Sequence, residues 1–308
     1  MIQTQQVHHI ERPDWLRTPN GDPRGYVQPK SLRELWFHTG TACNLACPFC
    51  LEGSKPGDKR LGFLTLDEVR PLVSEAITLG TERFSFTGGE PFVNPEMVRI
   101  LDHALDLRPC LVLTNATAPL KKRLPEILPL KSKPHPLNLR VSLDYPDPAR
   151  HDAGRGEGNF ERSLETMALL HRAGFRVSVA RQMSEGEDGK AVNAAYGPHL
   201  ERAGLPKDLH FTVFPDFLRP GSLPKVPHVT EKCMTAYQTE ETRDAFMCGF
   251  SKMVVKKDGK VRVYACTLVD DDPDYDLGGT LMEAMPVRVM LKHHRCYSCF
   301  AFGASCSE

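Results

Sequence analysis

Cys43, Cys47 and Cys50 fall within eight residues of one another. Three thiolates in one short loop can hold three irons of a [4Fe–4S] cluster. The fourth iron would lack a local cysteine, and an open coordination site is where chemistry happens. The alternative is zinc, which in a structural site takes four closed ligands. His38 would serve as a fourth, but it belongs to the preceding strand. A second set, Cys248, Cys266, Cys296, Cys299 and Cys306, lies in residues 248–308. Lys257-Asp258-Gly259-Lys260 separates two β-prone runs, 253–255 and 261–263, which predicts a hairpin. That turn brings Cys248 and Cys266 to neighbouring positions, and Cys296-Tyr-Ser-Cys299 adds a second local pair. Four thiolates can then meet in one site, with iron–sulfur and zinc both open on ligand count alone. Only Cys110 and Cys233 stand alone.

The elements that must position these groups are legible. Strands are expected at 34–39, 82–87, 110–114, 137–143, 176–181 and 209–214, with helices at 66–79, 95–107, 117–127, 159–173 and 189–203. Strands separated by helices imply parallel βαβ units, which right-handed crossovers curl into an α/β fold, a partial (β/α)6 barrel. Thr65 and Glu68 form a capping-box pair, Gly80 ends the same helix, and Pro71 predicts a kink or a later start. Asn94 before Pro95 marks a helix start, and Asn159 is expected to cap the helix that Gly174 closes. In 137–143, Leu137, Leu139, Val141 and Leu143 alternate with Asn138, Arg140, Ser142 and Asp144. A polar face inside a partial barrel lines a ligand cavity rather than a dry core. Thr87-Gly88-Gly89-Glu90-Pro91 follows the second strand and, on its own, reads as a strand-to-helix turn. Residues 1–31 read as an arm, 32–217 as the barrel, 218–245 as a linker, and 246–308 as a small cysteine-rich domain built on the hairpin. Asp270-Asp271-Asp272-Pro273-Asp274-Tyr275-Asp276 reads as a solvated acidic loop, because Leu277 stands where a calcium loop needs glycine. His293-His294 reads as a basic flank.

With 308 residues, 41% hydrophobic and 25% charged, the composition is globular. Lys+Arg and Asp+Glu are 39 each, so bulk charge draws the chain to neither nucleic acid nor anionic membrane. No apolar run reaches the ~18–20 residues of a spanning helix, and the N-terminus has no signal-peptide core. A soluble, cytoplasmic protein is expected, in which ten cysteines do not mean disulfides.

Cys43-x3-Cys47-x2-Cys50, with Phe49 at the aromatic position before the last cysteine, resembles the radical S-adenosylmethionine (SAM) enzymes. The resemblance implies that the three cysteines bind a [4Fe–4S] cluster whose unique iron chelates SAM. Reductive cleavage would release a 5′-deoxyadenosyl radical that abstracts a substrate hydrogen. Gly88, Gly89 and Glu90 match the family's GGEP motif, in which backbone carbonyls and the acidic side chain receive an ammonium group. Ser142, Asp144 and Arg181, at the ends of strands four and five, match positions near SAM. Thr114-Asn115 matches a family pair expected to serve local structure and cavity lining. Phe214-Pro215-Asp216 is placed near the adenine or the substrate. The C-terminal region looks like a Twitch domain, the shortened relative of SPASM. That likeness implies an auxiliary [4Fe–4S] cluster on Cys248, Cys266, Cys296 and Cys299, with Cys306 or Cys233 as possible replacements.

Neither motif names a substrate. The N-terminal arm is too short for a winged-helix peptide-recognition domain, no cobalamin-binding domain fits, and the chain does not end in the Gly-Gly of the molybdopterin-pathway cyclases. A small-molecule substrate is therefore the first expectation, with oxidation, epimerisation or rearrangement as the reaction and a flavodoxin or ferredoxin as electron donor. The alternatives are modification of a peptide or protein side chain, and a non-catalytic iron–sulfur or zinc protein.

Overall fold

The computed structural model describes residues 12–184, 186–214 and 224–303. Short strands β1 (Tyr26–Val27) and β10 (Val289–Met290) pair antiparallel, so the N-terminal and C-terminal parts of the described residues meet. The main sheet has the order β7-β6-β5-β4-β3-β2-β8-β9. Six of its strands, β2 (Glu34–His38), β3 (Arg83–Thr87), β4 (Cys110–Thr114), β5 (Leu137–Ser142), β6 (Arg176–Gln182) and β7 (Phe211–Phe214), run parallel in sequence order. This is the expected partial barrel with helices between its strands. The hairpin β8 (Ser251–Lys257) and β9 (Lys260–Tyr264) turns at Asp258 and Gly259, both at positive φ. It does not stand apart from the barrel. β8 pairs parallel with β2, Glu34 opposite Ser251 through Phe37 opposite Val254, and extends the same sheet.

Local sequence explains most element boundaries. Helix Leu66–Thr78 carries the Thr65–Glu68 capping box and turns its buried Val69, Leu72, Val73 and Ala76 to the sheet. It starts at Leu66 and continues through Pro71, so the later start does not occur. Gly80 leaves it at φ +86°. The third helix begins at Met97, not Pro95, after a short turn Pro91–Val93, and Asn94 accepts from the Glu96 amide. Asn159 does not cap helix Asn159–Arg172. Asp152 does, accepting from the Gly158 and Phe160 amides, while Asn159 donates back to the Arg155 carbonyl.

Three further expectations change. Part of the linker is helical, at Glu231–Tyr237 and Glu240–Asp244. Arg12, at the start of the described chain, pairs with Asp274 at 2.6 Å, so that end of the arm is anchored. The acidic loop is only partly solvated, with Asp271 exposed and Asp272 half-buried. Asp270 and Asp274 are buried, Asp274 also pairs with Lys292, and Asp276 pairs with Arg262. Lone charged groups do not stay buried, and Asp274 and Asp276 have each drawn a cation. No described helix is long and apolar enough to cross a membrane.

Candidate active site with two cysteine sets

Every strand end that the sequence marked for chemistry converges on one cavity of about 220 Å³. Cys43, Cys47, Phe49 and Cys50 line it from the loop after β2, Gly88 and Gly89 from β3, Asn115 from β4, Ser142 and Asp144 from β5, Arg181 from β6 and Phe214 from β7. Pro215, Asp216 and Cys306 lie outside the described residues.

The cysteine loop is held by backbone. The Gly89 amide donates to Gly40 and the Glu90 amide to Ala42. A Cβ on Gly89 would come within 2.4 Å of the Ala42 carbonyl oxygen, and one on Gly88 within 2.7 Å of that of Gly40. The glycines are therefore needed for close approach to the cysteine loop itself. Glu90 departs from the expected role. Its carboxylate does not line the cavity but accepts from the amides of Phe92 and Asn115 and from the Thr114 hydroxyl. Burial pushes its pKa up to about 7, with these bonds acting the other way. Asn115, so fixed, donates to Asn44 at 3.0 Å and lies 3.9 Å from the Cys43 sulfur.

Asp144 is not alone. Arg155, from helix Pro148–Arg155, clasps it in a two-pronged contact of 2.5 and 3.1 Å and lies 5.7 Å from the Phe49 ring centre. Gly154 lets that ring pack, since a Cβ there would meet it at 2.2 Å. The sequence reading missed this helix and Arg155 with it. Asp147 before Pro148, the same cap-plus-proline signal as Asn94-Pro95, marks its start. Arg181 pairs with Glu187 at 2.5 Å and donates to Asn193.

The second cysteine set also assembles. Cys248, Cys266, Cys296 and Cys299 line one small cavity with Leu268, Tyr275 and Arg295. Cys233 does not join it and bonds instead with Thr230. Leu268 faces both cavities. Arg295 donates to the carbonyls of Leu268 at 2.8 Å and of Leu51, beside Cys50, at 3.4 Å. The wall between the two sites is thus one residue thick in places.

The donor chemistry fits iron–sulfur clusters better than zinc. Among the described residues, the one group of three His, Cys, Asp or Glu ligand atoms within 4.8 Å of one another is His38, Glu52 and Asp270. No three cysteine sulfurs are so close, whereas zinc at ~2.3 Å from each sulfur would draw them to ~3.8 Å apart. Burial pushes the Cys43 and Cys248 thiols up to about 12 and Cys296 to about 11, so a metal group must displace their protons. The His38 group is itself a poor cation site. Its Nδ1 accepts from the Gly40 amide, which puts the ring proton on Nε2, 3.6 Å from Glu52. It reads as a buried tie between β2, the cysteine loop and the C-terminal region. Asp270 is pushed up to about 7 there, by burial and then by the Glu52 charge.

Residues 37–184 match the model of the Radical SAM superfamily. GTP 3′,8-cyclase of Tolumonas auensis is 30% identical over 138 residues, 44% of this chain and 40% of that protein. The antilisterial bacteriocin subtilosin biosynthesis protein AlbA of Bacillus subtilis is 32% identical over 151 residues, 48% of this chain and 33% of AlbA. The matches therefore span less than half the length of these relatives. Among solved structures, Streptococcus suis SuiB bound to S-adenosylmethionine aligns with a TM-score of 0.60 over 80% of this chain and 63% of SuiB. At 15% identity that is a likeness of fold.

Proposed function

This chain is a radical SAM protein, and on that premise we propose that it cleaves SAM reductively and abstracts a hydrogen atom from a substrate. The observation that carries this reading is the convergence of Cys43, Cys47 and Cys50 with Gly88, Asp144 and Arg181 on one cavity. Cys43, Cys47 and Cys50 would hold the first [4Fe–4S] cluster, and Cys248, Cys266, Cys296 and Cys299 an auxiliary one. When bound, the first cluster supplies the electron that cleaves SAM to a 5′-deoxyadenosyl radical, the species that takes the hydrogen.

The chain's own residues do the binding and orienting. Carbonyls at Gly88–Gly89 receive the SAM ammonium. Ser142 and Asp144 offer a hydroxyl and a carboxylate to the ribose. Arg181 and Arg155 bring fixed positive charge to the SAM carboxylate, and the two-pronged Arg155 contact keeps Asp144 aimed. Phe49, packed on Gly154, keeps water from that side. Thr267 and Leu268 of the C-terminal region close the cavity opposite the barrel. With this wall in place the reading takes a small-molecule substrate first, with an oxidoreductase-type outcome and a flavodoxin or ferredoxin as electron donor. The second reading, peptide modification, is favoured by the AlbA relative, whose name places it in bacteriocin biosynthesis.

The test is anaerobic. Reconstituted protein receives SAM and dithionite, and 5′-deoxyadenosine is assayed by chromatography. Product is expected from the native chain and none from the Cys43→Ala/Cys47→Ala/Cys50→Ala chain. Absence of both SAM binding and product in iron-loaded native protein would refute the reading. Deuterium transfer from labelled small molecules or peptides into 5′-deoxyadenosine then separates the two substrate classes.

A further inference from the structure

Buried cations stand behind the C-terminal cysteines. Lys252 on β8 is 0% exposed. Its ammonium donates to the carbonyl oxygens of Cys248 at 2.8 Å and Ser251 at 3.0 Å. Among the described residues no carboxylate pairs with it, and Cys248 and Cys266 are the acidic groups whose charge, once they are deprotonated, acts on it. Arg24 is also buried and donates to the carbonyls of Asp14, Trp15 and Arg17. Arg295 lines the cavity, with Asp271 at 3.9 Å.

A fully buried ammonium without a counter-charge is strongly disfavoured. Here the available counter-charge is the cysteine set itself, so the arrangement is matched to thiolates. An oxidised [4Fe–4S] cluster with four thiolates is a dianion, and uptake of one electron makes it a trianion. A fixed positive charge in a low-dielectric surround stabilises the trianion more than the dianion. We propose that Lys252 is the counter-charge of the C-terminal cluster and raises its reduction potential, so that the site readily takes up an electron. Arg24 and Arg295 add to the same field. The proposal rests on the reading that these four cysteines hold an iron–sulfur cluster.

The experiment uses the full chain with Cys43, Cys47 and Cys50 replaced by Ala, so that only the C-terminal site reports. Iron and sulfide are assayed, then the reduced signal is followed by electron paramagnetic resonance during a dithionite redox titration. Lys252→Met removes the charge at similar length, and Lys252→Arg keeps it. The expected result is a midpoint shifted to more negative potential in K252M and close to the parent in K252R, at equal iron. Loss of iron from K252M but not from K252R also supports the counter-charge. An unmoved midpoint in K252M, or an equal shift or equal iron loss in both variants, overturns it. A parent chain that takes up zinc, or no iron and sulfide, refutes the cluster reading itself and the proposal with it, before any variant is compared.

Discussion

Glu90 is the residue whose chemistry differs most from its motif. Its four hydrogen bonds all point into the fold, and burial raises its pKa from 4.5 to about 7. The sign of the linkage follows. The folded state holds the proton more tightly than the unfolded chain, so this group favours folding fully below pH ~4.5 and loses that contribution as pH rises through ~7. The total loss is about 3 kcal/mol. Glu90→Gln, which cannot ionise, is expected to gain about that much relative to the native chain between pH 5 and pH 8. Urea unfolding of the metal-free proteins at both values measures it. Parallel pH profiles would show that Glu90 does not carry this charge. At this scale the cysteines, Ser142, Asp144 and Arg181 were legible because their types and strand-end positions carry chemistry. The partner of Asp144 was not, because Arg155 lies eleven residues further on, and only the turn into its helix brings the two together.

At the scale of elements, the GGEP turn acts as a bracket for the cysteine loop. Gly89 hydrogen-bonds Gly40 and leaves no room for a Cβ beside the carbonyls of Thr41 and Ala42. Gly89→Ala must therefore push that loop away. The expected outcome is loss of the first site alone, about half the iron and sulfide after anaerobic reconstitution, with helix content unchanged by circular dichroism. Full iron in G89A would show that the loop tolerates the displacement. The six parallel strands were legible from their alternation and spacing, but of the polar positions of β5 Ser142 lines the cavity while Asn138 and Arg140 do not. Helix Pro148–Arg155 was not, because only His151 of its side chains is buried and its apolar pattern is weak.

In the whole molecule, the N-terminal and C-terminal parts of the described residues are joined. β1 pairs with β10, and Asp274 holds both Arg12 and Lys292. Asp274→Asn removes one of the two carboxylates that hold Arg12 and Lys292, leaving Asp14, and is expected to speed tryptic cleavage at Arg17 roughly tenfold by easing local opening. A cleavage rate equal to that of the native chain would assign the anchoring to the β1–β10 pair. The sequence by itself determined the six barrel strands and both cysteine sets, since periodicity and spacing are local properties that neighbouring residues already express. The tertiary structure decided the rest. It buried Asp270 and Asp274 of an acidic run that local composition placed in water, and it joined the hairpin to β2. Each of these depends on contacts between residues far apart in the chain, where burial and charge pairing act and sequence pattern has no signal.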